Sequence, residues 1–118
     1  MATDTAFIAS ADAVLVAIGA ALDAALADDA NDNDADWSLN DGILEIECTD
    51  GSKLIVNRHV PNREIWVAAR TGGFHFRANA GMWRDTRSGD ELSAKLAALL
   101  REQAELTVDL TGLPGPTE

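Results

Sequence analysis

The sequence has a single cysteine, Cys48, and no lysine or arginine anywhere before Lys53. One thiol excludes an internal disulfide and any multi-thiolate zinc site, and it fits a reducing compartment. The missing cations have the larger consequence. Twelve carboxylates stand in the first 52 residues (Asp4, Asp12, Asp23, Asp28, Asp29, Asp32, Asp34, Asp36, Asp41, Glu45, Glu47 and Asp50), and the formal net charge of the chain is -11. A field of that sign repels nucleic-acid phosphates and anionic lipid, and it attracts metal ions and basic protein surfaces. A basic leader and a continuous apolar run are lacking too. The N-terminal apolar residues are spaced, so the expectation is no signal peptide, no membrane span and a cytoplasmic location. No internal repeat is visible. Nor is there a Ser-His-Asp or Cys-His arrangement, a glycine-rich phosphate loop, or a carboxylate pair in an apolar run, so no active site is expected.

What is present suits one globular domain. At 118 residues with 47% apolar side chains, the chain can bury about two thirds of its unfolded surface around a single core. Apolar residues recur at helical spacing from residue 5 to about 27, through Phe7, Ala11, Val14, Leu15, Ile18, Leu22 and Leu26, with Asp4 placed to cap the start. The period then changes to two. In residues 34–39 Asp34, Asp36 and Ser38 alternate with Ala35, Trp37 and Leu39, as in a strand wet on one face. Asn40-Asp41-Gly42 turns into a strand in which Leu44, Ile46 and Cys48 alternate with Glu45 and Glu47. Asp50-Gly51 reads as a type I′ hairpin turn leading into residues 52–58. Pro61 precedes a strand over 64–70, Gly72-Gly73 turns into residues 74–78, and Trp83 lies in a short further strand. Ser88 with Glu91 reads as a capping box for a second helix carrying Leu92, Leu96, Leu99 and Leu100 to about 105. The order is helix, about six antiparallel strands, helix. That order predicts an α+β two-layer sandwich, with both helices on one face of a twisted antiparallel sheet and the other face bare. The tail over 106–118 continues the same single domain, its leucines and Val108 filling the groove between the helix ends and its last four residues fraying.

Residues 51–76, GSKLIVNRHVPNREIWVAARTGGFHF, followed by Trp83 and Arg87-Ser88-Gly89, closely resemble the frataxin family in its bacterial branch. The similarity runs from about Phe7 to Glu105. It implies a frataxin-like α/β sandwich serving iron-sulfur cluster assembly. The family binds iron weakly (Fe2+ or Fe3+) on an acidic ridge of the first helix and first strand, and it binds cysteine desulfurase and the scaffold machinery. A monomer is implied when no metal is present. Asp23, Asp34 and Asp36 match acidic positions of that ridge. Gly19, Ala20, Ala24 and Ser38 stand where the family has acids, while the helix-to-strand connection supplies Asp28, Asp29 and Asp32 instead. Negative charge is kept and its positions have moved.

The candidate metal residues are therefore Asp23, Asp28, Asp29, Asp32, Asp34 and Asp36. Carboxylate oxygens without thiolate or imidazole suit hard cations held weakly. Asp29-x-Asn31-x-Asn33 imitates the start of an EF-hand, but Asp34 stands where that loop needs glycine and Asn40 where it needs glutamate. As a docking surface the same cluster needs no fixed geometry, because complementary fields act even when single residues move. Asp34, Asp36, Glu45, Glu47, Asn57 and Trp66 form the candidate partner surface. Alternation puts Trp66 on the bare face with Glu64, Ala68 and Arg70, and in the resembling family this position is an exposed contact. His59 and His75 read as isolated surface or hydrogen-bonded histidines, Trp37 and Trp83 as packing residues, and Cys48 as a buried apolar group. The enzymatic alternative, an iron oxidase or storage protein on the same carboxylates, requires a defined carboxylate-histidine or two-metal set, which the spacing does not offer.

Overall fold

The computed structural model describes residues 4–116. Helix α1 (Asp4–Ala27) is followed by strands β1 (Asp36–Asn40), β2 (Ile43–Glu47), β3 (Lys53–His59), β4 (Glu64–Ala69), β5 (Gly72–Asn79) and β6 (Met82–Asp85), and then by helix α2 (Leu92–Ala104). The strands form one antiparallel sheet in sequence order, β1 to β6. Short connections between successive strands allow nothing else so simple.

One core lies between the sheet and the helices. From the strands it takes Leu44, Ile46, Leu54, Val56, Ile65, Val67, Phe76 and Trp83. From the helices it takes Phe7, Ala11, Val14, Leu15, Ile18 and Leu22 on α1 and Leu92, Leu96 and Leu100 on α2. Phe7 meets Trp83 edge to face, ring centroids 6.1 Å apart. Cys48 is buried among these residues, and burial pushes its thiol pKa upward. The tail completes the core through Leu106, Val108 and Leu110. Further on, Gly115 lies against the Gly81 carbonyl so closely that no side chain fits between them. This segment is packed where fraying was expected; residues 117 and 118 lie outside the described residues.

Several local expectations need correction. By length and apolar composition alone α1 passes for a membrane-crossing helix, a test that the core helix of a globular domain passes equally. The composition comes from alanine: Ala9, Ala13, Ala20 and Ala24, with Val16, occupy the exposed side, while the larger apolar groups pack on the sheet. Asp4 is not a cap outside the helix. It sits in the first turn and accepts a 3.1 Å bond from Arg63 Nε. The Ser88–Glu91 capping box does not form. Backbone pairing of Arg84 with Glu91, and of Asp85 N–H with the Asp90 carbonyl (2.8 Å), keeps residues 90–91 extended. α2 therefore starts at Leu92 with Glu91 as a cap whose side chain accepts from Ser93 Oγ (2.9 Å) and makes no capping bond to the backbone. Gly72 and Gly73 belong to β5, so the β4–β5 turn is Arg70-Thr71. At the β2–β3 turn only Gly51 has positive φ (88°). The Asp50 carboxylate instead accepts Ser52 N–H (2.8 Å) and Ser52 Oγ (2.6 Å), which holds its pKa below the usual carboxylate range.

Candidate functional site: an acidic edge beside a bare sheet

Trp37, on β1, fixes how the acidic segment lies. Its ring rests on Gly19, where a Cβ would come within 2.6 Å of it, and its indole N–H donates to Asp23 Oδ1 at 2.8 Å. α1 and β1 are thereby joined at Trp37, and the segment between them leads from the C-terminal end of α1 into the start of the edge strand. Asp23, Asp28, Asp29, Asp32, Asp34 and Asp36 are all exposed there. Among the described residues none of the six is in a salt bridge. Four of the arginines are engaged with other acids. Arg58 pairs with Asp12 and, at 3.4 Å, with Asp41; Arg63 with Asp4 at 3.1 Å; Arg70 with Asp50 at 2.8 Å; Arg77 with Glu64 at 2.6 Å. Among the described residues no three His, Cys, Asp or Glu side chains converge on a point where a metal ion could be held. The carboxylates form a strip of charge with no cage in it.

The bare face of the sheet holds the rest of the expected surface. Asn57, Trp66 and His75 are opposite one another across β3, β4 and β5. The Trp66 indole is sandwiched between two imidazoles, His59 at 3.6 Å between ring centroids and His75 at 4.4 Å, with the planes within 8° of parallel. The histidines are thus parts of one stack, not isolated side chains. Counting from a turn at Gly72-Gly73 misses the Trp66–His75 pair, because the register is set by the turn at Arg70-Thr71. Asn57 donates to the Arg58 carbonyl at 3.1 Å and stays half-buried beside Trp66. Arg58 itself crosses to the helix layer, where Gly42 (φ 77°) leaves room for its guanidinium.

Glu64 was expected among the exposed residues of this face and is 3% exposed. One carboxylate oxygen accepts the Trp66 indole N–H (2.8 Å) and the other accepts from Arg77 Nη2 (2.6 Å), with His75 Nδ1 3.6 Å away. Burial raises the carboxyl pKa, but the Trp66 and Arg77 hydrogen bonds and the Arg77 charge outweigh it, so the net direction is downward. A buried charge is tolerated because its oxygens are bonded. On the acidic side of the same face, Glu45 is 3.5 Å from Lys53, and Glu47 and Asp36 are exposed cross-strand partners. Negative charge at β1–β2 thus gives way to an aromatic and basic region at β4–β5.

Two helices on one face of a six-stranded antiparallel meander, with the other face bare and one edge acidic, define an open-faced α/β sandwich suited to surface contact. The chain belongs to the frataxin-like family: the family's domain model matches residues 1–106. It is 46% identical over 108 residues to the iron-sulfur cluster assembly protein CyaY of Cupriavidus pinatubonensis, covering 92% of this chain and 96% of that one. The CyaY protein of Burkholderia mallei is 44% identical over 108 residues, covering 90% and 95%. The frataxin of Psychromonas ingrahamii superposes with a TM-score of 0.82 at 34% identity, covering 93% of this chain and 99% of that one. A trimeric frataxin of Saccharomyces cerevisiae, complexed with ferrous iron, shares the fold with a TM-score of 0.68 at 23% identity, covering 81% and 86%.

Proposed function

We propose that this protein serves iron-sulfur cluster assembly as a non-enzymatic binding protein. Its acidic edge meets a basic region of cysteine desulfurase, and Trp66 anchors the bare sheet. The observation that carries this reading is the strip of six exposed carboxylates left without basic partners, although four arginines are spent on other acids of the same molecule. Close relatives bearing the name iron-sulfur cluster assembly protein support the process. Ferrous iron in the yeast relative supports iron as a second ligand of the same strip, and with no cage of side chains among the described residues it is held weakly. Asp34 and Asp36 lie where strip and sheet meet, so both contacts run through them.

Calorimetry with desulfurase over a range of salt tests this. Replacing Asp34 and Asp36 with lysine weakens binding and flattens its dependence on salt, whereas Trp66→Ala weakens binding with little change in that dependence. Unchanged affinity in both variants rejects the interface. A separate NMR titration with ferrous iron moves amides of residues 23–36 and leaves the Trp66 row in place.

A further inference from the structure

Asn31 and Asn33, in the middle of the acidic segment, point the opposite way from its aspartates. Asn31 Nδ2 donates to the Ala25 carbonyl at 2.8 Å and the Thr107 carbonyl at 3.3 Å, and its Oδ1 accepts the Thr107 N–H at 2.9 Å. Asn33 Nδ2 donates to the carbonyls of Ala104 (2.8 Å) and Glu105 (3.2 Å), and its Oδ1 accepts the Ala35 N–H at 2.8 Å. Ala25 lies in the last turn of α1, Ala104 ends α2, and Glu105 is its left-handed cap. Two amides thus close the C-terminal ends of both helices at one place. Asp28, Asp29, Asp32 and Asp34 alternate around them and face solvent.

Cations are favoured near helix C-terminal carbonyls, because each end carries about half a negative charge. α1 has no basic residue in its last turn, and α2 has only Arg101. An asparagine amide satisfies these carbonyls without bringing positive charge to the strip. The ends of both helix dipoles then add to the field of the carboxylates, and the tail from Thr107 is bound into the same unit.

We infer that Asn31 and Asn33 are positioning residues of the docking surface: they fix the displaced aspartates over two converging helix ends and tie the acidic edge to the C-terminal tail. The inference rests on the proposed desulfurase contact and separates from it by the sign of one substitution. Asn31→Asp and Asn33→Asp each add a negative charge but remove the donor and set a carboxylate against carbonyls. If the surface acts by charge alone, both variants bind desulfurase more tightly. If the amides position it, each binds more weakly, by about fivefold or more since two donated bonds are lost, and Asn31→Ala and Asn33→Ala weaken it similarly at unchanged net charge.

Amide exchange in the unsubstituted protein supplies a readout that needs no variant. Desulfurase should slow exchange at Thr107 and in the following tail residues, beyond the contact itself. Tighter binding by the Asp variants, or unaltered tail exchange in a complex that does form, overturns the inference and leaves the desulfurase contact standing. No binding by the unsubstituted protein rejects both.

Discussion

Gly19 shows how a single residue reshapes this surface. The resemblance makes its loss of an acid look like a weakened ridge, but Trp37 occupies the space that any side chain there would need. Gly19→Asp should therefore lower stability by about 1–3 kcal/mol through overpacking, measured by chemical denaturation, with no gain in metal affinity. Glu64 carries a second residue-level prediction. Its folded pKa is lowered, so its contribution to stability is full above the unfolded carboxyl value of about 4.3 and disappears as pH falls through the folded value. The stability difference between the native protein and Glu64→Gln should thus be largest near neutral pH and close below about pH 4. A difference independent of pH counts against a charged Glu64. Neither role was legible from the sequence. Alternation assigns Glu64 to the bare face correctly, but its burial depends on Trp66 and Arg77 lying over it.

At the scale of elements, periodicity recovers both helices and all six strands, because each strand's inward residues alternate cleanly and the helix leucines keep one stripe. Ends were less legible, since they are set by partners distant in sequence. The second helix begins late because β6 holds residues 90–91 extended, which no local capping pattern reveals. That late start leaves Glu91, at φ -77° and ψ 143°, in cap geometry without a capping side chain. Glu91→Asp should raise stability by about 1 kcal/mol, read as a higher melting temperature. The asparagines of the α1–β1 connection were unreadable for the same reason. Their partners at the end of α2 and in the tail lie more than 70 residues away, so in the sequence they showed only an incomplete imitation of an EF-hand start. Gln103 is a parallel case: it accepts from Arg70 N–H (2.8 Å) and donates to the Lys53 carbonyl (3.0 Å), joining α2 to the strand ends.

For the whole molecule, charge placement matters as much as charge count. Arg58, Arg63, Arg70 and Arg77 pair with acids outside the strip, so among the described residues the strip keeps its six negative charges without salt-bridge partners. Such concentration costs stability through self-repulsion and speeds encounter with a basic partner. Two outcomes follow together. Replacing Asp28, Asp29 and Asp32 with asparagine should raise the melting temperature at low salt while slowing desulfurase association several-fold, and added salt should shrink both effects. A stability gain that persists at high salt points to another cause. The acidic character of this region was fully legible in the sequence; its freedom from counter-charges depended on where each arginine reaches in the folded chain.

β1 lies at the margin of the sheet, paired only with β2, so one row of its peptide groups faces outward as a template for any passing strand. Asp36 at the start of β1, with the carboxylates of the connection that precedes it, brings like charge on an incoming copy close to its own kind and so disfavours the addition of further chains. The strip thereby doubles as protection against fibre growth. Its neutralised variants, however well they melt, should scatter more light on prolonged storage at high concentration than the native protein does.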